Sequence, residues 1–107
     1  MRAAAIIDGL AEHLPNQTFV EKASSLLREG GFDVHLYSGK AVTVELFRNL
    51  PSTYAIILLR THGAPDAVFT AEPYDINRFV YEQLADEVVG GEIVYLPKDR
   101  NRFFALP

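Results

Sequence analysis

Tyr54-Ala-Ile-Ile-Leu-Leu59 is an unbroken run of strand length that stops at Arg60-Thr61-His62-Gly63. A run of this kind suits a strand buried on both faces, as in a parallel sheet covered by helices. Its polar downstream end occupies the place where open α/β sheets put their ligands, outside the carboxyl ends of the strands. The run therefore predicts both a fold class and the position of a site.

The flanking sequence supports an α/β reading. Ala3-Ala-Ala-Ile-Ile7 is a short apolar strand ending at the turn signal Asp8-Gly9. Thr18 and Glu21 have capping-box spacing, with Asn16 as a rival cap, and Phe19, Ala23, Leu26 and Leu27 then share a helical face. Gly30-Gly31 stops that helix. Phe32 to Tyr37 alternates apolar with polar residues, as a strand less buried than the others. Thr43 caps a short helix bearing Leu46, Phe47 and Leu50, which Pro51 ends. Strand, helix, strand, helix, strand implies parallel pairing with right-handed crossovers, and the flavodoxin-like start places the strands in the order 2-1-3.

Downstream, Ala67 to Ala71 reads as a strand or half of a small hairpin. Asp75 is placed to cap a helix with Ile76, Phe79, Val80, Gln83, Leu84 and Val88 on one face, stopped by Gly90-Gly91. Ile93 to Leu96 and Phe103 to Leu106 flank a charged loop, residues 98–102, and are expected to pair antiparallel.

Composition bounds the function classes. With 107 residues, the chain is read as a single α/β domain, residues 1–107. Its net charge of −4 and lack of a Lys/Arg run exclude a nucleic-acid surface. No stretch approaches the roughly 20 apolar residues of a membrane helix, which makes cytoplasm the default location. The absence of cysteine removes disulfides, zinc–thiolate clusters and any thiol nucleophile from this chain.

Among chemistry-bearing residues His62 leads, because an imidazole beside Gly63 at a strand's carboxyl end can move protons near neutral pH. The plainer alternative is a loop histidine capping the strand. Asp8 stands at the end of a neighbouring strand, on the opposite lip of the same crevice, or is simply the turn residue before Gly9. Arg60 suits a carboxylate or phosphate, or pairs with an acidic neighbour such as Glu72. No carboxylate lies at a metal-ligand spacing from His13 or His35, so no metal is expected. No nucleotide loop or Gly-x-Ser-x-Gly elbow occurs, and no cofactor is expected.

With Ala55-Ile-Ile-Leu-Leu59 followed by His62-Gly63, the chain resembles the N-terminal half of a caspase-like cysteine peptidase domain. That group includes clostripain, gingipain, separase and the bacterial CHAT proteins. Pro15-Asn-Gln-Thr-Phe19, Val42-Thr-Val44 and Phe69-Thr-Ala-Glu-Pro-Tyr74 resemble prokaryotic proteins of that fold. The resemblance implies a three-layer α/β sandwich on a mainly parallel sheet, continuing beyond these residues to a strand that ends in the catalytic cysteine. It also implies His62 and the Gly63 amide as catalytic groups acting on a peptide or protein substrate. Asp8, Gly9, Arg60 and Thr61 would then lie on the substrate side. This chain alone would be inactive.

Two other readings use the same pattern: a non-catalytic ligand-binding or regulatory module on a flavodoxin- or receiver-like sheet, and an interaction scaffold. A receiver expects an acidic pair where Ile6-Ile7-Asp8 offers one carboxylate. Because residues 55–59 carry neither charge nor proline, either residues 93–106 or a second copy of the chain is expected to cover that strand's outer edge.

Overall fold

The computed structural model describes residues 2–64, 67–73, 75, 77, 89–96 and 99–106. Three strands, β1 (Arg2–Asp8), β2 (Phe32–Ser38) and β3 (Tyr54–Arg60), form a parallel sheet in the order β2-β1-β3. This is the order expected from the sequence, and β1 is central in it. Ala4, Ala5, Ile6 and Ile7 are all inaccessible to solvent. Burying the two isoleucines contributes about 1.5–3 kcal/mol each.

Helix α1 (Gln17–Glu29) connects β1 to β2 and lies against both. Asn16, not Thr18, is its cap, accepting from the Phe19 amide at 3.1 Å. The buried stripe is Val20, Ala23, Ser24 and the half-buried Leu27, the i, i+3, i+4, i+7 spacing of one helix face. Phe19 and Leu26, expected on that face, are exposed. Between β2 and β3 come a 3₁₀ turn (Gly39–Ala41) and the five-residue α2 (Val44–Arg48). Thr43 caps α2 as its sequence predicts, accepting from the Leu46 amide at 3.1 Å.

A second sheet follows: β4 (Gly63–Ala64), β5 (Ala67–Pro73), β6 (Val89–Leu96) and β7 (Asp99–Leu106), antiparallel throughout, in the order β4-β5-β7-β6. Ala67 to Ala71 is thus one arm of a small hairpin with β4. Gly90 and Gly91, expected as a helix stop, lie inside β6, opposite Phe104 and Phe103. Residues 99–102 of the expected charged loop belong to β7, so Ile93 faces Asn101 and not the 103–106 segment. The helix expected from Asp75 to Val88 falls outside the described residues apart from Asp75 and Asn77.

Two expectations about β3 are corrected. It is not buried on both faces: Ile57 and Leu59 keep 47% and 44% of their surface in water. Residues 93–106 do not cover its outer edge either, because β7 pairs with β5 and β6. Among the described strands, β3 has β1 as its one partner. No helix of the described residues is long and apolar enough to cross a membrane.

Candidate functional site

The carboxyl ends of β1 and β3 are joined by both backbone and side chains. The Gly9 amide donates to the Arg60 carbonyl at 2.9 Å, carrying the pairing one residue past β1. A Cβ on Gly9 would sit 3.1 Å from the Thr61 hydroxyl and 3.5 Å from Val42, so this close approach favours glycine. Asp8 is 2% exposed. Its Oδ1 accepts from Arg60 Nη1 at 2.7 Å and from the Leu10 amide at 3.1 Å. Arg60 Nη2 donates onward to the Leu14 carbonyl. One guanidinium therefore holds β1, β3 and the loop after β1 together. Asp8 is not an open lip of a crevice, and the partner of Arg60 is Asp8 and not Glu72.

Thr61 is likewise engaged within the fold. Its hydroxyl donates to the Phe69 carbonyl at 2.6 Å, while the Phe69 amide donates to the His62 carbonyl at 3.0 Å. These two bonds lock the end of β3 to β5. The Ala71 amide donates to the Val42 carbonyl at 2.7 Å, and Glu72 Oε1 accepts from the Val44 amide at 3.1 Å, tying β5 to the start of α2. Gly63 sits in β4 opposite Val68, exposed, with room for a Cβ 3.6 Å from the nearest atom. Its value to a site would be its amide, not conformational freedom.

His62 emerges from this frame into a cleft lined by Gly9, Glu12, His13, Thr61, Phe69 and Phe103, among others. The enclosed space is about 10 Å³, enough for one water. It opens beside a groove of about 310 Å³, where Glu12, His13 and Phe103 recur with Lys40, Thr43 and Glu72. The His62 imidazole is held below its usual value of 6.5, first by burial and then by the charge of His13. This shift favours the neutral imidazole, the form a general base needs.

His13 is the site residue that sequence reasoning missed. The loop after β1 brings it to His62, and its ring meets Phe103 edge-on at a centroid distance of 6.3 Å. Its one sequence signal is position, in the loop leaving the carboxyl end of the central strand. Of the expected residues, the fold brings Gly9, Thr61 and His62 to the cleft, and gives Asp8 and Arg60 the task of supporting it.

A second polar cluster lies on the sheet face itself. Asp33, His35 and Tyr37 project from β2 on one side, in register with Ala3, Ala5 and Ile7 of β1. Tyr54 enters from β3, across a register irregularity between Ala3 and Ala4. Strands β2 and β3 stand roughly 9–10 Å apart, and β1 presents the side chains of Ala3, Ala5 and Ile7 between them. The Tyr54 hydroxyl reaches across to His35 Nδ1 at 2.6 Å and to the Tyr37 hydroxyl at 2.7 Å. His35 Nε2 lies 3.1 Å from Asp33 Oδ2. With its proton on Nε2, His35 donates to Asp33 and accepts from Tyr54, which in turn accepts from Tyr37. Desolvation, helped by the hydrogen bond to Tyr37 and the nearby negative charges, pushes the Tyr54 phenol up to about 12.

The chain matches no protein-family model, no curated protein and no solved structure.

Proposed function

We propose that this domain carries the histidine half of a caspase-like cysteine peptidase site. In this reading His62 takes the proton of a thiol and returns it to the leaving amine, while the Gly63 amide donates to the oxyanion. These 107 residues contain no cysteine. In this reading the thiol belongs to a segment outside these residues, and the outer edge of β3, which has no partner among the described strands, would receive the further parallel strand that carries it. The observation that carries the reading is the placement of His62. It is an imidazole whose proton affinity is lowered first by burial, at the carboxyl end of a parallel strand, in a cleft beside a groove of ligand size.

Peptide hydrolysis tests this. The 107-residue chain is expected to leave Arg-, Lys- and Asp-containing peptides intact. A longer gene product that includes a cysteine-bearing strand is expected to cleave one of them, and His62→Ala should lower its kcat/KM by roughly 10²-fold or more. Cleavage by the 107-residue chain that His62→Ala abolishes would overturn the reading, as would a longer product indifferent to the substitution. The runner-up is a binding module that uses the same groove without covalent chemistry. The engagement of Asp8 with Arg60 removes the carboxylate that a receiver-like version would need.

A further inference from the structure

We propose that Tyr54, Tyr37 and His35 form a three-ligand site for a ferric ion, with Asp33 orienting the histidine from behind. This inference is independent of the peptidase reading and concerns the face of the sheet, not its carboxyl end. Its first support is geometric. Neighbouring ligands of an octahedral ion with bonds near 2.0 Å stand about 2.8 Å apart. Tyr54 Oη lies 2.6 Å from His35 Nδ1 and 2.7 Å from Tyr37 Oη. Each of these two separations lies within about 0.2 Å of the spacing of adjacent ligands, with Tyr54 Oη common to both.

The second support is the arrangement behind the ligands. Metal-bound histidines commonly donate their other ring nitrogen to a carboxylate, which fixes the ring and raises its basicity. His35 Nε2 already faces Asp33 Oδ2 at 3.1 Å, leaving Nδ1 as the lone-pair donor. The ligands also stand on rigid elements, two strands clamped to the same buried β1, which holds the geometry in the absence of the ion.

The ion follows from the donors. Phenolates are hard, anionic oxygen ligands and imidazole suits iron, whereas no thiol is present to favour a soft metal. No group of three His, Cys, Asp or Glu side chains suited to a metal exists among the described residues, so the tyrosines are indispensable to the set. Binding exchanges two phenolic protons for one Fe³⁺, with no change of oxidation state: both protons go to solvent, and the iron keeps one net positive charge. The side chains of His35 and Asp33 are 43% and 62% exposed, which provides an entry path and leaves positions on the iron for water.

The experiment adds one equivalent of ferric nitrilotriacetate to the 107-residue chain and records visible absorption. A phenolate-to-iron charge-transfer band is expected, the two phenolic protons being taken up by the released nitrilotriacetate and the buffer. Tyr54→Phe and Tyr37→Phe should each remove most of the band, and His35→Gln should weaken binding. Asp33→Asn should keep the band but lower affinity by about 10–100-fold. Gallium(III), which gives no band, should shift the NMR signals of Tyr37, His35 and Tyr54 and no others strongly. No band with the wild-type chain, a band undiminished in Tyr54→Phe, or gallium shifts centred elsewhere would each overturn the proposal.

Discussion

Two polar clusters bind strands of the same sheet together, and they do so under opposite conditions. Asp8 and Arg60 join the carboxyl ends of β1 and β3 through a carboxylate that is almost wholly buried. Asp33, His35, Tyr54 and Tyr37 join β2 to β3 across the face, with half their members in water. A buried charge cannot lose its partner cheaply, whereas a wet one exchanges a partner for solvent. The first cluster is therefore scaffold for the His62 cleft, and the second is free to serve another ligand.

Removing one member from each cluster gives this contrast its widest test. Arg60→Met leaves Asp8 buried without its cation and releases the loop that carries His13. Destabilisation near 3 kcal/mol is expected, the low end for a broken buried pair because Arg60 itself is partly exposed. Urea denaturation measures it, and Asp8→Asn with Arg60→Met should recover much of the loss. Tyr54→Phe, which deletes the hydroxyl shared by His35 and Tyr37, should cost about 0.5–1 kcal/mol in the same assay. Asp33→Asn should cost less, roughly 0.5 kcal/mol, since its hydrogen bond to His35 is exposed. Equal costs for Arg60→Met and Asp33→Asn would erase the distinction between the clusters.

A smaller effect concerns pH. Because the folded His62 binds its proton more weakly than the unfolded chain does, the unfolded state carries more protons below about pH 6.5. Stability contributed by the neutral imidazole is present above pH 6.5 and declines as pH falls from there through the lower folded value. His62→Gln should flatten that decline, measured by denaturation at stepped pH values between 7 and 5.

The parallel half of the molecule was legible because its signals are local. The alanine–isoleucine run of β1, the cap at Thr43 and the Gly30-Gly31 stop each act within a few residues. What the sequence hid depends on distant partners. Asp8 and Arg60 are 52 positions apart, and His35 and Tyr54 are 19 apart. The pairing of β5 with β7 is equally non-local. Gly90 and Gly91 read as a stop because their strand character comes from β7 opposite them and not from their own residue type. The hydrophobic run of β3 fixed its element type and its place beside β1. It could not state how many neighbours would shield it, because burial belongs to the assembly and not to the segment.

The central claim is that burial and His13 hold the proton affinity of His62 below that of a free imidazole, and an NMR pH titration of its ring tests this most directly. The predicted result is a midpoint below 6.5 that rises in His13→Gln without reaching 6.5, since burial remains the larger cause. A midpoint at or above 6.5, unmoved by His13→Gln, would contradict it.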